Sequence, residues 1–286
     1  MLNQQQLQDI QTLQHLCENT DTIALKLNWE SLRARKAEEK NDYFHYSVDG
    51  STLIGFLGVY KFGTKFEICG MVHPTYRQQG IFTTLFQKAT QDLSNVDYSS
   101  LLLNTPANSV SGKQFLQSIP CQYESSEYQM RWDAAHIQDL TSSNEVDTTQ
   151  HDVTLRSAID DDIDELLRLD KEGFGMSDDD ILDMKKSLTE DGLQHMYVVN
   201  SDGATVGKVN VIPMEVQTWI YGFVVDQALR SQGIGRRTLQ LIIEQERPKE
   251  KELWLEVAVH NPKALKLYES CGFVTQEQQD YYQYSG

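Results

Sequence analysis

Two stretches near the end of the 286-residue chain put reactive side chains and bare backbone at regular spacing. Residues 225–235 read V-D-Q-A-L-R-S-Q-G-I-G. Residues 220–225 are β-branched and aromatic, residues 230–233 have turn composition, and Leu239, Ile242 and Ile243 recur at helical spacing, so a strand, a tight turn and a helix start are expected. A helix that begins in glycine-rich backbone has N–H groups without intrahelical acceptors and the positive end of its dipole. The amides of residues 232–236 can therefore bind a phosphate or diphosphate, although Gly233 and Gly235 can equally serve the turn alone. Residues 253–273 read L-W-L-E-V-A-V-H-N-P-K-A-L-K-L-Y-E-S-C-G-F, with the pattern of a strand, a helix and a turn into another strand. A carboxylate can take a proton and a phenol can give one, which singles out Glu256 and Tyr268. Leu265, Tyr268 and Gly272 share one helical face. The plainer readings are a strand glutamate paired with a Lys or Arg and a core tyrosine. Asn261 and Pro262 fit a helix N-cap and first position. His260 is a possible alternative base, and as a strand-end polar residue it needs no chemical role.

In this order and spacing the two stretches resemble the GNAT superfamily of acyl-CoA-dependent N-acetyltransferases. Its motifs are Q/R-x-x-G-x-G/A on the pyrophosphate and N-x-x-A-x-x-L-Y-x-x-x-G-F beyond it. The second stretch looks especially like the enzymes that acetylate protein N-termini, including the ribosomal-protein alanine acetyltransferases. The resemblance implies acetyl-CoA as acyl donor and no metal. It puts Arg230, Ser231, Gln232, Gly233, Ile234, Gly235 and Arg236 at the coenzyme phosphates, and Phe223, Val224 and Val225 on the strand beside the pantetheine arm, paired through the backbone of Phe223 and Val225. It makes Glu256 the base, acting directly or through a water, Tyr268 the group that protonates or hydrogen-bonds the leaving thiolate, and Asn261 a coenzyme contact as well as a cap. Cys271 has no partner group nearby in sequence, so direct attack in a ternary complex is expected rather than a covalent acyl-enzyme.

The chain also repeats itself. V-H-P-T-Y-R-Q-Q-G-I-F at residues 72–82 matches residues 225–235, pairing Val72 with Val225, Arg77 with Arg230 and Gly80 with Gly233, and the same offset of 153 pairs Asn108 with Asn261. Two motifs in one register argue for two copies of one domain. The expected fold is α/β (α+β): two tandem GNAT domains, each a mixed, mostly antiparallel central sheet with helices on both faces. The expected division is residues 1–135, a linker at 136–150 of polar Thr, Ser, Asn and Asp, and residues 151–286. At the same offset Phe82 stands for Gly235, Leu103 for Glu256 and Phe115 for Tyr268, so the first copy is expected to have lost catalysis, with coenzyme binding weakened but not excluded. The arrangement resembles tandem-domain members such as the mycothiol synthases.

The elements that must hold these residues belong to a globular chain of 40% hydrophobic content, with no membrane-length apolar run and no signal peptide. A cytoplasmic location is expected. Four scattered cysteines show neither disulfide framework nor metal-ligand spacing. Residues 1–135 carry 11 Lys/Arg and 14 Asp/Glu, which leaves 14 and 28 of the chain's 25 and 42 in residues 136–286. Such acidity disfavours nucleic acid and favours a cationic acceptor, or serves solubility alone. Acid clusters at residues 160–162 and 178–180 read as helix-start chemistry. The expected acceptor is a small amine or a peptide N-terminus; the sequence leaves oligomeric state open. A non-catalytic acyl-CoA-binding or regulatory protein is the alternative.

Overall fold

The computed structural model describes residues 1–36, 39–136 and 152–286. The expected linker at 136–150, apart from His136, lies outside the described residues. The chain forms two compact units, Met1–Ser126 with Gln278–Gly286, and Glu127–Glu277.

The first unit takes its sheet from β1 (Asp42–Tyr46), β2 (Leu53–Phe62), β3 (Lys65–Val72) and β4 (Ser100–Pro106). Its order is β1-β2-β3-β4, closed by the end of the last strand, β11 (Phe273–Tyr284). Among the described residues of this unit only β3 and β4 run parallel; β11 meets β4 antiparallel from Gln279↔Pro106 to Gln283↔Leu102. The two faces are apolar for different partners. Phe66, Ile68, Leu101 and Leu103 pack with Ile81, Leu85 and Phe86 of α3 (Ile81–Leu93), and Phe56, Cys69 and Met71 pack with Ile10, Leu13 and Cys17 of α1 (Gln4–Asp21) and Leu32 of α2 (Trp29–Arg33). A short α4 (Val110–Leu116) follows β4.

The second unit repeats the plan. Its strands β6 (Val153–Ser157), β7 (Met196–Ser201), β8 (Ala204–Pro213), β9 (Gln217–Val225) and β10 (Glu252–Ala258) lie in order, antiparallel except for the parallel pair β9 and β10. Residues 127–131 of β5 (Cys121–Trp132) then pair antiparallel with β10. Ile234, Leu239 and Ile242 of α8 (Ile234–Glu246) and Tyr268 of α9 (Pro262–Ser270) cover one face; Leu166 and Leu169 of α5 (Ile163–Phe174) cover the other. Two further helices, α6 (Asp178–Ser187) and α7 (Glu190–Gln194), follow α5. The acid clusters act locally: Ser177 and Asp180 form a capping box, and Asp162 accepts from Arg156 at 2.6 and 2.7 Å.

Each unit is therefore finished by a strand from the other half of the chain. Gln279, Asp280 and Tyr281 are 0%, 5% and 4% exposed, and of the three the Tyr281 ring adds apolar burial, worth about 1.5–3 kcal/mol for a large side chain. Ending the chain at Glu277 should lower the unfolding midpoint of the first unit by roughly 10 °C or more. Calorimetry of the shortened protein checks this; an unchanged midpoint would show that β4 does not need its partner.

Candidate active site

Two turns of one conformation sit at the ends of β3 and β9. Arg77 and Arg230 are extended at φ −67, Gln78 and Ser231 are left-handed at φ 60 and 64, and Gly80 and Gly233 are left-handed at φ 76 and 85. A non-glycine residue pays about 1–2 kcal/mol for that region, and here it does so twice at the same place. The arginines brace the turns: Arg230 Nε donates to the Val225 carbonyl at 2.9 Å and Arg77 Nε to the Val72 carbonyl at 3.1 Å. Arg230 thus reaches back to its own strand, a role the motif alone does not distinguish from phosphate contact. Among the described residues no protein acceptor takes the amides of residues 231–236 or 78–83. Arg237 and Thr84 are the first to bond back, to the Gly233 and Gly80 carbonyls at 3.0 and 2.9 Å. Neither helix has a side-chain cap. The amides, the dipoles of two 13-residue helices and the absence of a competing side chain together make anion cradles.

Beside each cradle two parallel strands part. β9 and β10 pair from Glu252↔Gln217 to Leu255↔Ile220, and β3 and β4 from Lys65↔Ser100 to Ile68↔Leu103. Beyond those residues the inner edges of β9 and β3 have no strand partner on that side among the described residues, which leaves backbone groups able to pair with an extended amide chain.

The expected side chains of the second unit distribute as follows. Phe223 lies over Gly235, its Cζ 3.7 Å from where a Cβ would stand, with Val225 at 3.9 Å and Leu267 at 3.2 Å. Val224 points to the opposite face, against Gly173. Gln232 donates to the Ala228 carbonyl at 3.4 Å and Ile234 is buried in the core. Arg236 reaches the Ser270 carbonyl at 3.4 Å, at the end of α9. Asn261 caps α9, accepting from the Ala264 amide at 3.2 Å, with Pro262 at the first position. Glu256 is half-buried on the face of β10 opposite Leu255 and accepts from Gln129 Nε2 at 2.9 Å. His260 is exposed in the turn after β10. Tyr268 is 8% exposed and stacks edge-on to Phe273 at 6.2 Å. Its hydroxyl makes no hydrogen bond among the described residues and is not a fully enclosed orphan, so the phenol tip ends at the surface of the core. Burial, with Cys271 adding to it, pushes the phenol pKa up to about 12.

The first unit differs in ways that the offset of 153 misjudges. Leu103 and Leu255 hold the same place, each in register with Ile68 or Ile220 and each buried toward its helix; Asn104, not Leu103, is the counterpart of Glu256. Successive strand residues face opposite sides, so a one-residue drift between the motifs reverses the face. The correction leaves the first unit without a carboxylate at this place, and an amide is no base. Phe82 has not been driven into the cradle: its ring covers Gly70 and meets Phe115 edge-on at 4.7 Å. Phenylalanine and glycine have changed places between strand and helix, Gly70 with Phe82 against Phe223 with Gly235. A Cβ on Gly80 would meet no atom within 4 Å, so this turn is open. Here lies a cavity of about 370 Å³, lined by Gly80, Phe82, Leu103, Asn104 and Phe115 among others. Asn104, 9% exposed, has a buried Oδ1 with no hydrogen-bond partner. Asn108 does not cap α4 as Asn261 caps α9: Ser109 does, and Asn108 donates to the Thr22 carbonyl at 3.0 Å.

A model of the acetyltransferase (GNAT) family matches residues 5–114 and 161–273. Among solved structures, a GCN5-related N-acetyltransferase from Sphaerobacter thermophilus is 18% identical, with 96% of this chain and 91% of that one covered and a TM-score of 0.75. A tandem GNAT protein from the clavulanic acid biosynthesis pathway is 14% identical over 98% and 95% of the two chains, with a TM-score of 0.70. A GNAT-family acetyltransferase from Colwellia psychrerythraea is 13% identical over 98% and 97%, with a TM-score of 0.60. At these identities the likeness is one of fold. No curated protein sequence matches the chain.

Proposed function

The chain belongs to the acetyltransferase (GNAT) family in both halves, and from that premise we propose that its second unit moves an acetyl group from acetyl-CoA to a primary amine of a small molecule or peptide. The observation that carries the reading is that unpaired amides, an opening between parallel strands, a half-buried carboxylate and a phenol all belong to one unit. The residues that would hold the coenzyme fit it: the amides of Ser231, Gln232, Gly233, Ile234, Gly235 and Arg236 take the diphosphate, the backbone of Phe223, Val224 and Val225 takes the pantetheine amides, and Asn261 stands at the start of the helix carrying Tyr268. The bound coenzyme supplies an acyl thioester. Glu256 takes the proton of the incoming ammonium, directly or through a water, and leaves a neutral amine. Tyr268 stays protonated through the neutral range and donates to the leaving sulfur. Among the described residues no helix is long and apolar enough to cross a membrane.

Thiol release from acetyl-CoA against a panel of amines, amino acids and N-terminal peptides tests this; silence across the panel with intact coenzyme binding would sink it. The first unit supports a second reading for itself. Its open cradle and cavity suit a coenzyme, while Asn104 and Leu116, which stands seven residues past the Ser109 cap as Tyr268 stands past Asn261, supply neither base nor acid, so it would hold the coenzyme without turning it over. Gly80→Asp should then remove one of two binding equivalents in a calorimetric titration and leave transfer by the second unit within about twofold; a wild-type stoichiometry of one, untouched by Gly80→Asp, rules out the first-unit site.

A further inference from the structure

In the second unit the Asp170 carboxylate of α5 and the Lys208 ammonium of β8 lie 2.5 Å apart and are 2% and 1% exposed. The first unit provides an internal control. α1 and α5 end in left-handed caps at Thr22 and Gly175, which aligns Cys17 with Asp170, and the pairs Gly55↔Val72 and Gly207↔Val225 align Phe56 with Lys208. Cys17 and Phe56 belong to one apolar cluster and are equally buried. The fold therefore closes over an uncharged pair, whose thiol donates to the Val72 carbonyl at 3.4 Å, as well as over an ion pair, and apolar packing at such a place is usually at least as stable as buried charge. Stability does not account for Asp170 and Lys208.

What differs beside them is the strand they face. Lys208 lies opposite Val224 and Asn210 opposite Tyr221, so β9 carries one extra residue between them, while β2 and β3 pair without a shift from Gly55↔Val72 to Phe62↔Lys65. The extra residue is Gly222, left-handed at φ 55. A Cβ there would stand 3.0 Å from Asn210 Nδ2 and 3.9 Å from Lys208 Cε. Asn210, whose buried Oδ1 has no hydrogen-bond partner, takes the place of Gly58. All the replacements meet at the extra residue. Because of it Ile220, Phe223 and Val225 all turn toward the cluster of α8, whereas regular alternation would send Phe223 and Val225 the other way.

We propose that Asp170, Lys208 and Asn210 are positioning residues of the transfer site: the anchored ammonium and the amide hold β9 in its bulged form and so aim the backbone of residues 223–225 into the opening beside β10. This rests on the reading of the second unit as a transferase, since only the bulged unit carries Glu256 and Tyr268. Asp170→Cys with Lys208→Phe transplants the pair of the first unit. The variant should unfold at or above the wild-type temperature, exchange the amide hydrogens of residues 220–225 at least about tenfold faster, and lose about tenfold or more in kcat while the KM for acetyl-CoA moves less than about threefold. Asp170→Leu with Lys208→Met repeats the comparison should the first pair misfold. Unchanged exchange in a folded variant overturns the proposal, and so does faster exchange with full kcat. A wild type that transfers to no acceptor removes the transferase reading by itself, while the exchange comparison still decides whether the pair holds the bulge.

Discussion

Gly233→Asp should abolish coenzyme binding by the second unit. The mutation acts twice. A side chain at φ 85 costs about 1–2 kcal/mol, which the folded protein can bear. The carboxylate then stands among amides that have no other acceptor, at the mouth of a helix dipole, where it takes the place of the diphosphate and repels it. Two unit charges about 4 Å apart at an effective dielectric of about 20 repel by about 4 kcal/mol, close to a thousandfold in Kd. Gly233→Ala carries the backbone cost without the charge and should weaken binding by no more than about tenfold. Equal losses from Ala and Asp would mean that the turn's shape and not its charge matters, and no loss from Asp would put the diphosphate elsewhere.

That turn was legible because its signal is local. Val225, Arg230 and Gly233 recur as Val72, Arg77 and Gly80, and the same φ values return with them. The repeat predicts two mixed sheets with helices on both faces, and two such units are present. Asn261 as a cap and Ser177 with Asp180 as a capping box are likewise local hydrogen bonds, written in consecutive residues.

What was not legible depends on pairing between distant segments. That residues 278–283 finish the first unit and residues 127–131 the second follows from strand partners, and no pattern within a strand names its partner. Leu103 was set against Glu256 because an offset counts residues, whereas a sheet counts faces; the drift showed only when each was paired with Ile68 or Ile220. Gly222, isolated in a β-branched and aromatic run, is the mark of a bulge, but it precedes Val225 and so does not set the spacing from Gly233 to Glu256. Phe82 looked like an obstruction because its partner Gly70, twelve residues earlier, was not considered with it. Lys208, in T-V-G-K-V-N-V, gave no sign of being buried, since a lysine within a strand ordinarily lies on the solvent face.

Tyr268→Phe and Glu256→Gln should separate binding from chemistry. Tyr268 packs against Phe273 and has no hydrogen bond to lose among the described residues, so phenylalanine keeps its packing and coenzyme affinity should stay within about twofold. The missing hydroxyl removes the proton donor at the sulfur, and loss of such a group costs about 10²–10⁴ in kcat. Burial raises the phenol pKa to about 12, which favours its neutral form, so the donor is present at all lower pH and no alkaline fall in rate between pH 7 and 10 should arise from it. Glu256→Gln retains a side-chain oxygen to accept from Gln129 at nearly unchanged shape, yet cannot take a proton. Its kcat should fall in the same range, and partial recovery at high pH is expected for amines, because the acceptor then arrives already neutral. The two profiles distinguish the roles: pH-dependent rescue of Glu256→Gln with none for Tyr268→Phe fits a base and an acid, whereas equal rescue of both would mean that neither side chain handles a proton during transfer.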